Sequence, residues 1–152
     1  MPTSKTGRSA EGFTLLELIV AVSLLSLFLA LALPSLSSVG ERQLNAEAKK
    51  VASIVRYLND SSLMTKEEYT LSVDFAGRTL NYRGPEGEKS ETFAYLAGID
   101  VQSRGVVTDG QIILFFTPLG SPEGFTVQLK DEKSSLSLVF NPLSGRVKIK
   151  SS

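Results

Sequence analysis

The sequence predicts an α+β fold, in which a long N-terminal helix packs on a C-terminal antiparallel β domain. Three observations support this prediction. An apolar stretch of helical length lies near the N-terminus, an amphipathic helical pattern follows it, and short alternating segments separated by turn residues fill the rest of the chain. The predicted domains are a short polar N-terminal segment (residues 1–12), an apolar helix (residues 13–34), an amphipathic helix (residues 35–62) and the antiparallel β domain (residues 63–152).

Composition excludes several function classes. The 152 residues carry 16 Lys and Arg against 16 Asp and Glu, so the formal net charge is zero and no chain-wide basic field attracts nucleic acid. The chain has no Cys and no His, which excludes disulfides, thiol nucleophiles, imidazole bases and the usual zinc sites. Any enzyme would have to work with carboxylates, Lys, Tyr or Ser alone, and the sequence shows no catalytic arrangement of these residues. We expect no enzyme activity and no cofactor.

The first element is the apolar stretch FTLLELIVAVSLLSLFLALAL, residues 13–33. As a helix it spans about 31 Å, which is the thickness of a bilayer core. Composition alone leaves three interpretations open: a membrane anchor, a secretory signal peptide, and a buried core helix. Lys5 and Arg8 precede the stretch, so an anchor would have a cytoplasmic N-terminus.

Glu17 is the one ionisable residue inside this stretch. A charged residue near the centre of a membrane helix costs about 2.5–3.5 kcal/mol, and less toward an end. Glu17 therefore either marks the membrane interface or has a cationic partner.

The residues around Glu17 carry a resemblance. Gly12-Phe13-Thr14-Leu15-Leu16-Glu17-Leu18, after a short polar leader, resembles the processing motif of type IV pilins and type II secretion pseudopilins. The resemblance implies that a prepilin peptidase cuts after Gly12 and that Phe13 becomes the N-methylated terminus. It also implies that the apolar helix is retained as the core of a filament, where Glu17 meets the terminal amine of a neighbouring subunit.

The helix is predicted to continue beyond the apolar stretch. Pro34, where pilin helices often carry a proline, either kinks the helix or ends it. Beyond Gly40 one apolar stripe recurs at helical spacing and needs a partner surface, for which the β domain is preferred to a coiled coil. Its members are Leu44, Ala48, Val51, Ala52, Val55 and Leu58.

The remainder predicts about eight short antiparallel strands. Residues 84–91 are interpreted as a charged loop, and residues 111–117 as the central strand because they are the most apolar. The predicted strands cover residues 69–75, 79–83, 92–97, 99–103, 111–117, 125–130, 136–140 and 146–150.

Two features of the β domain bear on function. Phe116-Thr117-Pro118-Leu119-Gly120 is echoed by Phe140-Asn141-Pro142-Leu143-Ser144-Gly145, and both are interpreted as ordinary turns. Arg146, Lys148 and Lys150 alternate along the last strand, where they either protect an exposed edge or contact phosphates of DNA. By pattern, this part resembles the GspH/FimT type of minor pilin domain.

The resemblance gives the expected function. It implies a minor pseudopilin of the type II secretion system, a single-pass protein of the bacterial inner membrane with a periplasmic C-terminal domain. Its implied partners are other pseudopilins, the prepilin peptidase and the inner-membrane secretion platform, and a nucleic-acid partner is not favoured. The alternative is a type IV pilus minor pilin of FimT type, acting in pilus assembly or DNA uptake.

Overall fold

The computed structural model describes residues 14–121 and 123–151, without the side chains of residues 32–39. The chain divides into two compact units, Met1–Ser38 and Val39–Ser152. One helix, α1 (Leu15–Thr65), contributes to both. Gly12 and Phe13 lie outside the described residues.

In the first unit, Thr14 caps the start of α1. The Glu17 N–H donates to Thr14 Oγ1 at 3.2 Å, and the Leu18 N–H donates to the Thr14 carbonyl at 3.1 Å. Helical backbone continues through Pro34 and Gly40, so α1 does not end at Pro34. The side chain of Pro34 lies outside the described part, and the kink stays a prediction.

Within the described residues, no helix has the combination of length and apolar character that crossing a membrane requires. The span over residues 13–34 therefore stays a prediction.

In the second unit, the predicted stripe of α1 is buried. All six of its members are at most 2% exposed, and Ile54 joins them. The stripe lies in one hydrophobic core with the inward side chains of the strands. The prediction of a helix packed on a β domain is confirmed.

The strands form two antiparallel sheets. The four-stranded sheet has the order β3-β2-β1-β6, made of β1 (Tyr69–Asp74), β2 (Thr79–Gly84), β3 (Gly87–Thr92) and β6 (Gln111–Phe116). The five-stranded sheet has the order β5-β4-β7-β8-β9, made of β4 (Leu96–Val101), β5 (Gly105–Val107), β7 (Phe125–Lys130), β8 (Ser135–Asn141) and β9 (Arg146–Ser151).

Three details of the strand prediction are wrong. The charged segment over residues 84–91 is mostly strand, because β3 pairs with β2 along its whole length. The two strands predicted over residues 92–103 are one, β4, with β5 added beside it. Strand β6 pairs with β1 and lies at the edge of its sheet, so it is not central. Its outward side chains Ile113 and Phe115 stay 43% exposed.

Candidate functional site

Glu17 occupies the first turn of α1. The bond that Thr14 accepts uses the backbone N–H of Glu17, so the carboxylate takes no part in capping. Its position in the first turn is electrostatically favourable, because the N-terminal end of a helix carries partial positive charge. The side chain is exposed and available to a cation supplied from outside the described residues.

The helix that follows Glu17 presents apolar side chains all round. Every residue from 14 to 31 is exposed, including large side chains such as Phe28 and Leu31. The two polar residues, Ser23 and Ser26, donate their hydroxyls to the carbonyls four residues earlier, at 2.7 and 2.8 Å. The segment therefore suits an apolar environment, in which these hydroxyls already have acceptors.

The three cations singled out in the sequence lie together on β9, at the free edge of the five-stranded sheet. Arg146, Lys148 and Lys150 are all exposed, while Val147 between them is buried. Their partners across the strand pair are Asn141, Val139 and Ser137, which carry no charge. The structure thus confirms that the three cations share one face.

The strand ends that precede the two turns of similar sequence lie together in the core of the β domain. Phe116, Phe125 and Phe140, each at a strand end, pack their rings with centroids 5.0–6.2 Å apart. The turns beyond them leave Leu119 and Leu143 at 99% and 96% exposure. The sequence pattern predicts the turns but not the exposure of these two leucines, because turn chemistry does not reveal what a turn side chain contacts.

A further residue that the sequence did not reveal is Glu47, on the half-buried flank of the α1 stripe. Its two carboxylate oxygens accept the backbone N–H groups of Ala94 at 2.9 Å and Tyr95 at 3.0 Å. Ala94 and Tyr95 follow Glu47 by 47 and 48 positions and lie in the connection between β3 and β4. Glu47 therefore joins the helix to both sheets through that connection.

The β2–β3 hairpin is also tied to the helix. Lys50 pairs with Glu91 at 2.7 Å, and Tyr57 donates a hydrogen bond to Glu86. Within the hairpin, the hydrogen bond to Glu88 raises the pKa of Arg83, an exposed group that is charged in any case. These contacts hold a solvated hairpin in place.

No acid cluster of the described residues is arranged to hold a metal ion. The acidic residues of the hairpin instead contact Lys50, Arg83 and the tyrosines, as a structural role requires.

Comparison with known proteins supports the resemblance carried by the N-terminal residues. Residues 7–33 match the family model described as the prokaryotic N-terminal methylation motif. The type II secretion system protein H of Pseudomonas aeruginosa is 32% identical over 68 residues, which cover 44% of this chain and 40% of that protein. The chain thus spans less than half the length of this relative. No solved structure matches the chain significantly.

Proposed function

We propose that this chain is the precursor of a minor pseudopilin, a structural subunit of a type II secretion pseudopilus that helps to export folded proteins. The observation that carries the proposal is Glu17, four positions after Phe13 and in the first turn of an exposed apolar helix. The methylation motif over residues 7–33 and the similarity to protein H support the same function.

The proposed processing starts at Gly12. A prepilin peptidase cuts the peptide bond after Gly12, and the new amine on Phe13 is N-methylated. The amine and the Glu17 carboxylate carry opposite charges, and in an apolar filament core each reduces the cost of burying the other. Pairing Glu17 of one subunit with the amine of its neighbour would set the axial register.

The proposed location follows from the charge before the apolar stretch. Lys5 and Arg8 keep the N-terminus in the cytoplasm, residues 13–34 span the inner membrane, and the β domain lies in the periplasm. The mature chain then enters the filament with other pseudopilins, extracted through the inner-membrane secretion platform. The β domain contributes contact surfaces rather than chemistry.

Glu17→Gln in the full chain, expressed in its native host, tests the proposal. The amide keeps the size of the side chain and the Thr14 cap but removes the charge. We expect mass spectrometry to show the same mature start at methylated Phe13, and the cross-linked filament fraction to fall at least tenfold. The matched control is Glu41→Gln, an exposed acid on the same helix, which should assemble normally.

Two results would contradict the proposal. A purified protein that still starts at Met1 would exclude processing after Gly12. Normal assembly of the Glu17→Gln chain would exclude the pairing of charges.

The cationic strand β9 favours one alternative, a type IV pilus minor pilin of FimT type acting in pilus assembly or DNA uptake. Three cations on one strand, with uncharged cross-strand partners, can bind phosphates without sequence preference. If all three contact duplex DNA, the logarithm of the binding constant should fall with the logarithm of salt concentration with a slope of about −2.7. DNA binding that is lost in the Lys148→Glu variant and kept in the control variant Lys66→Glu would favour this alternative.

A further inference from the structure

The exposed side of β8 and β9 and the adjoining turn form one continuous surface, here called the β9 surface. Its members are Val139, Asn141, Leu143, Arg146, Lys148 and Lys150. A groove of about 320 Å³ is lined by the three cations together with Val139, Asn141 and Ser144. A second groove, lined by Leu143 and Pro142, shares Val139 and Asn141 with the first. The cations and the exposed leucine therefore border adjoining grooves.

Among the described residues, no cation of this surface forms an ion pair, and the one acid that lines the two grooves is Asp100 in the second. The described residues contain two ion pairs, Lys50–Glu91 and Arg83–Glu88, and neither includes a cation of β9. Alternate residues of a strand are about 7 Å apart, so Lys148 is repelled at close range by both Arg146 and Lys150. An anionic partner would relieve this repulsion, and carboxylates or phosphates would both do so.

Leu143 favours a protein as the partner over a nucleic acid. Its side chain is 96% exposed, beside Pro142 and Val139, and burying it requires an apolar recess. Single-stranded nucleic acids bind on exposed aromatic side chains, whereas the aromatic residues of the second groove, Phe125 and Phe140, are packed in the core.

The position of Leu143 also disfavours a membrane as the partner. A membrane would lie near Gly40, where the chain enters the second unit, and Leu143 lies far from that end. Gly40, near that end, lies against Asp131, while Gly145 lies against Asn59. Asn59 follows Gly40 by nineteen positions, which is about 28 Å along α1. Leu143, two residues before Gly145, thus lies at the opposite end of the unit.

We propose that the β9 surface binds an acidic face of another subunit of the same filament, with Leu143 inserted into an apolar recess of that subunit. The proposal rests on the proposed function, which brings such subunits next to this domain. Carboxylates of the partner lie over Arg146, Lys148 and Lys150, and this contact adds specificity to the less selective packing of the apolar helices.

Site-specific photocross-linking in cells tests the proposal with the full chain. A benzophenone amino acid replaces Leu143 in the native host, and the adduct is identified by mass spectrometry. The matched control replaces Val106, which is 60% exposed on β5, at the other edge of the same sheet. We expect position 143, and not position 106, to give an adduct with one filament subunit through an acidic segment.

Charge reversal then tests the chemistry. In Arg146→Glu/Lys148→Glu two exposed attractions become repulsions, and the adduct should fall about tenfold. Arg146→Gln/Lys148→Gln, which introduces no repulsion, should give a smaller loss. Acid→Lys substitutions in the cross-linked segment of the partner should restore the adduct with the reversed chain.

Four results would overturn the inference. Processed chains that give no adduct with a filament subunit at position 143 would exclude the contact while leaving the proposed function intact. Adducts that are insensitive to both charge variants would exclude the acidic partner. If those variants lost DNA binding but kept the adduct, the acidic partner would be excluded as well. Chains that are not processed after Gly12 would remove the proposed function and this inference together.

Discussion

Glu47 provides the sharpest test of how the β domain is held to the helix. We expect Glu47→Ala to destabilise the second unit without changing its fold. The substitution removes the acceptor of two backbone N–H groups, at Ala94 and Tyr95, and leaves the core stripe untouched.

The magnitude follows from the exposure of the two donors. A hydrogen bond to a charged group contributes about 1.5–3 kcal/mol. Ala94 is exposed, so water replaces much of its lost bond, whereas Tyr95 is half-buried and less accessible. The loss should therefore total about 2–3 kcal/mol, which lowers the Tm of a domain of this size by about 8–12 °C.

The assay is thermal unfolding of a fragment that starts at Gly40, since the buried core lies entirely between Leu44 and Val147. Glu41→Ala is the control, because it makes the same change on the same helix at an exposed side chain. Glu47→Gln, which retains one carbonyl acceptor, should fall between the two. Equal Tm values for Glu47→Ala and Glu41→Ala would refute the reasoning.

The remaining predictions concern single local contacts. Thr14→Val should remove the cap at Glu17, at a cost of about 1 kcal/mol, and should speed hydrogen exchange of the Glu17 amide about fivefold in micelles. Gly145→Ala should destabilise the fragment more than Gly105→Ala in urea unfolding. Both glycines have positive φ, of 62° and 75°, but only at Gly145 would the new Cβ lie 2.8 Å from Asn59 Nδ2. Gly84→Ala should lower Tm further than either, because its Cβ would lie 2.2 Å from the ring of Tyr69; an unchanged Tm would contradict that packing.

The helical half of the fold could be predicted because its pattern is local. The period of the stripe from Leu44 to Leu58 depends only on neighbours three and four positions away, and every predicted member is buried. The cationic face of β9 could be predicted for the same reason, since strand alternation alone places Arg146, Lys148 and Lys150 together.

The sheet order could not be predicted, because it depends on pairings between distant segments. Strand β6 is apolar from Ile112 to Phe116, which is typical of a central strand, yet its sheet ends there and leaves Phe115 half covered. Strand β3 has no large apolar residue and therefore no alternating pattern, and nearly all its side chains are exposed. Only its pairing with β2 identifies it as a strand. Glu47 was missed because its partners lie 47 and 48 residues away.

Thr14 and Glu17 allow the start of the helix to be separated from the charge proposed to act in assembly. The Thr14 hydroxyl binds the backbone N–H of Glu17, so Thr14→Val weakens the first turn while the carboxylate remains. Glu17→Gln does the reverse, since the cap is kept and the charge is lost. If assembly requires the ion pair, the Glu17→Gln chain should fail to enter the filament, whereas the Thr14→Val chain should enter it more slowly. Equal failure of both variants would instead show that assembly requires the capped first turn as much as the charge, because each change removes one of the two.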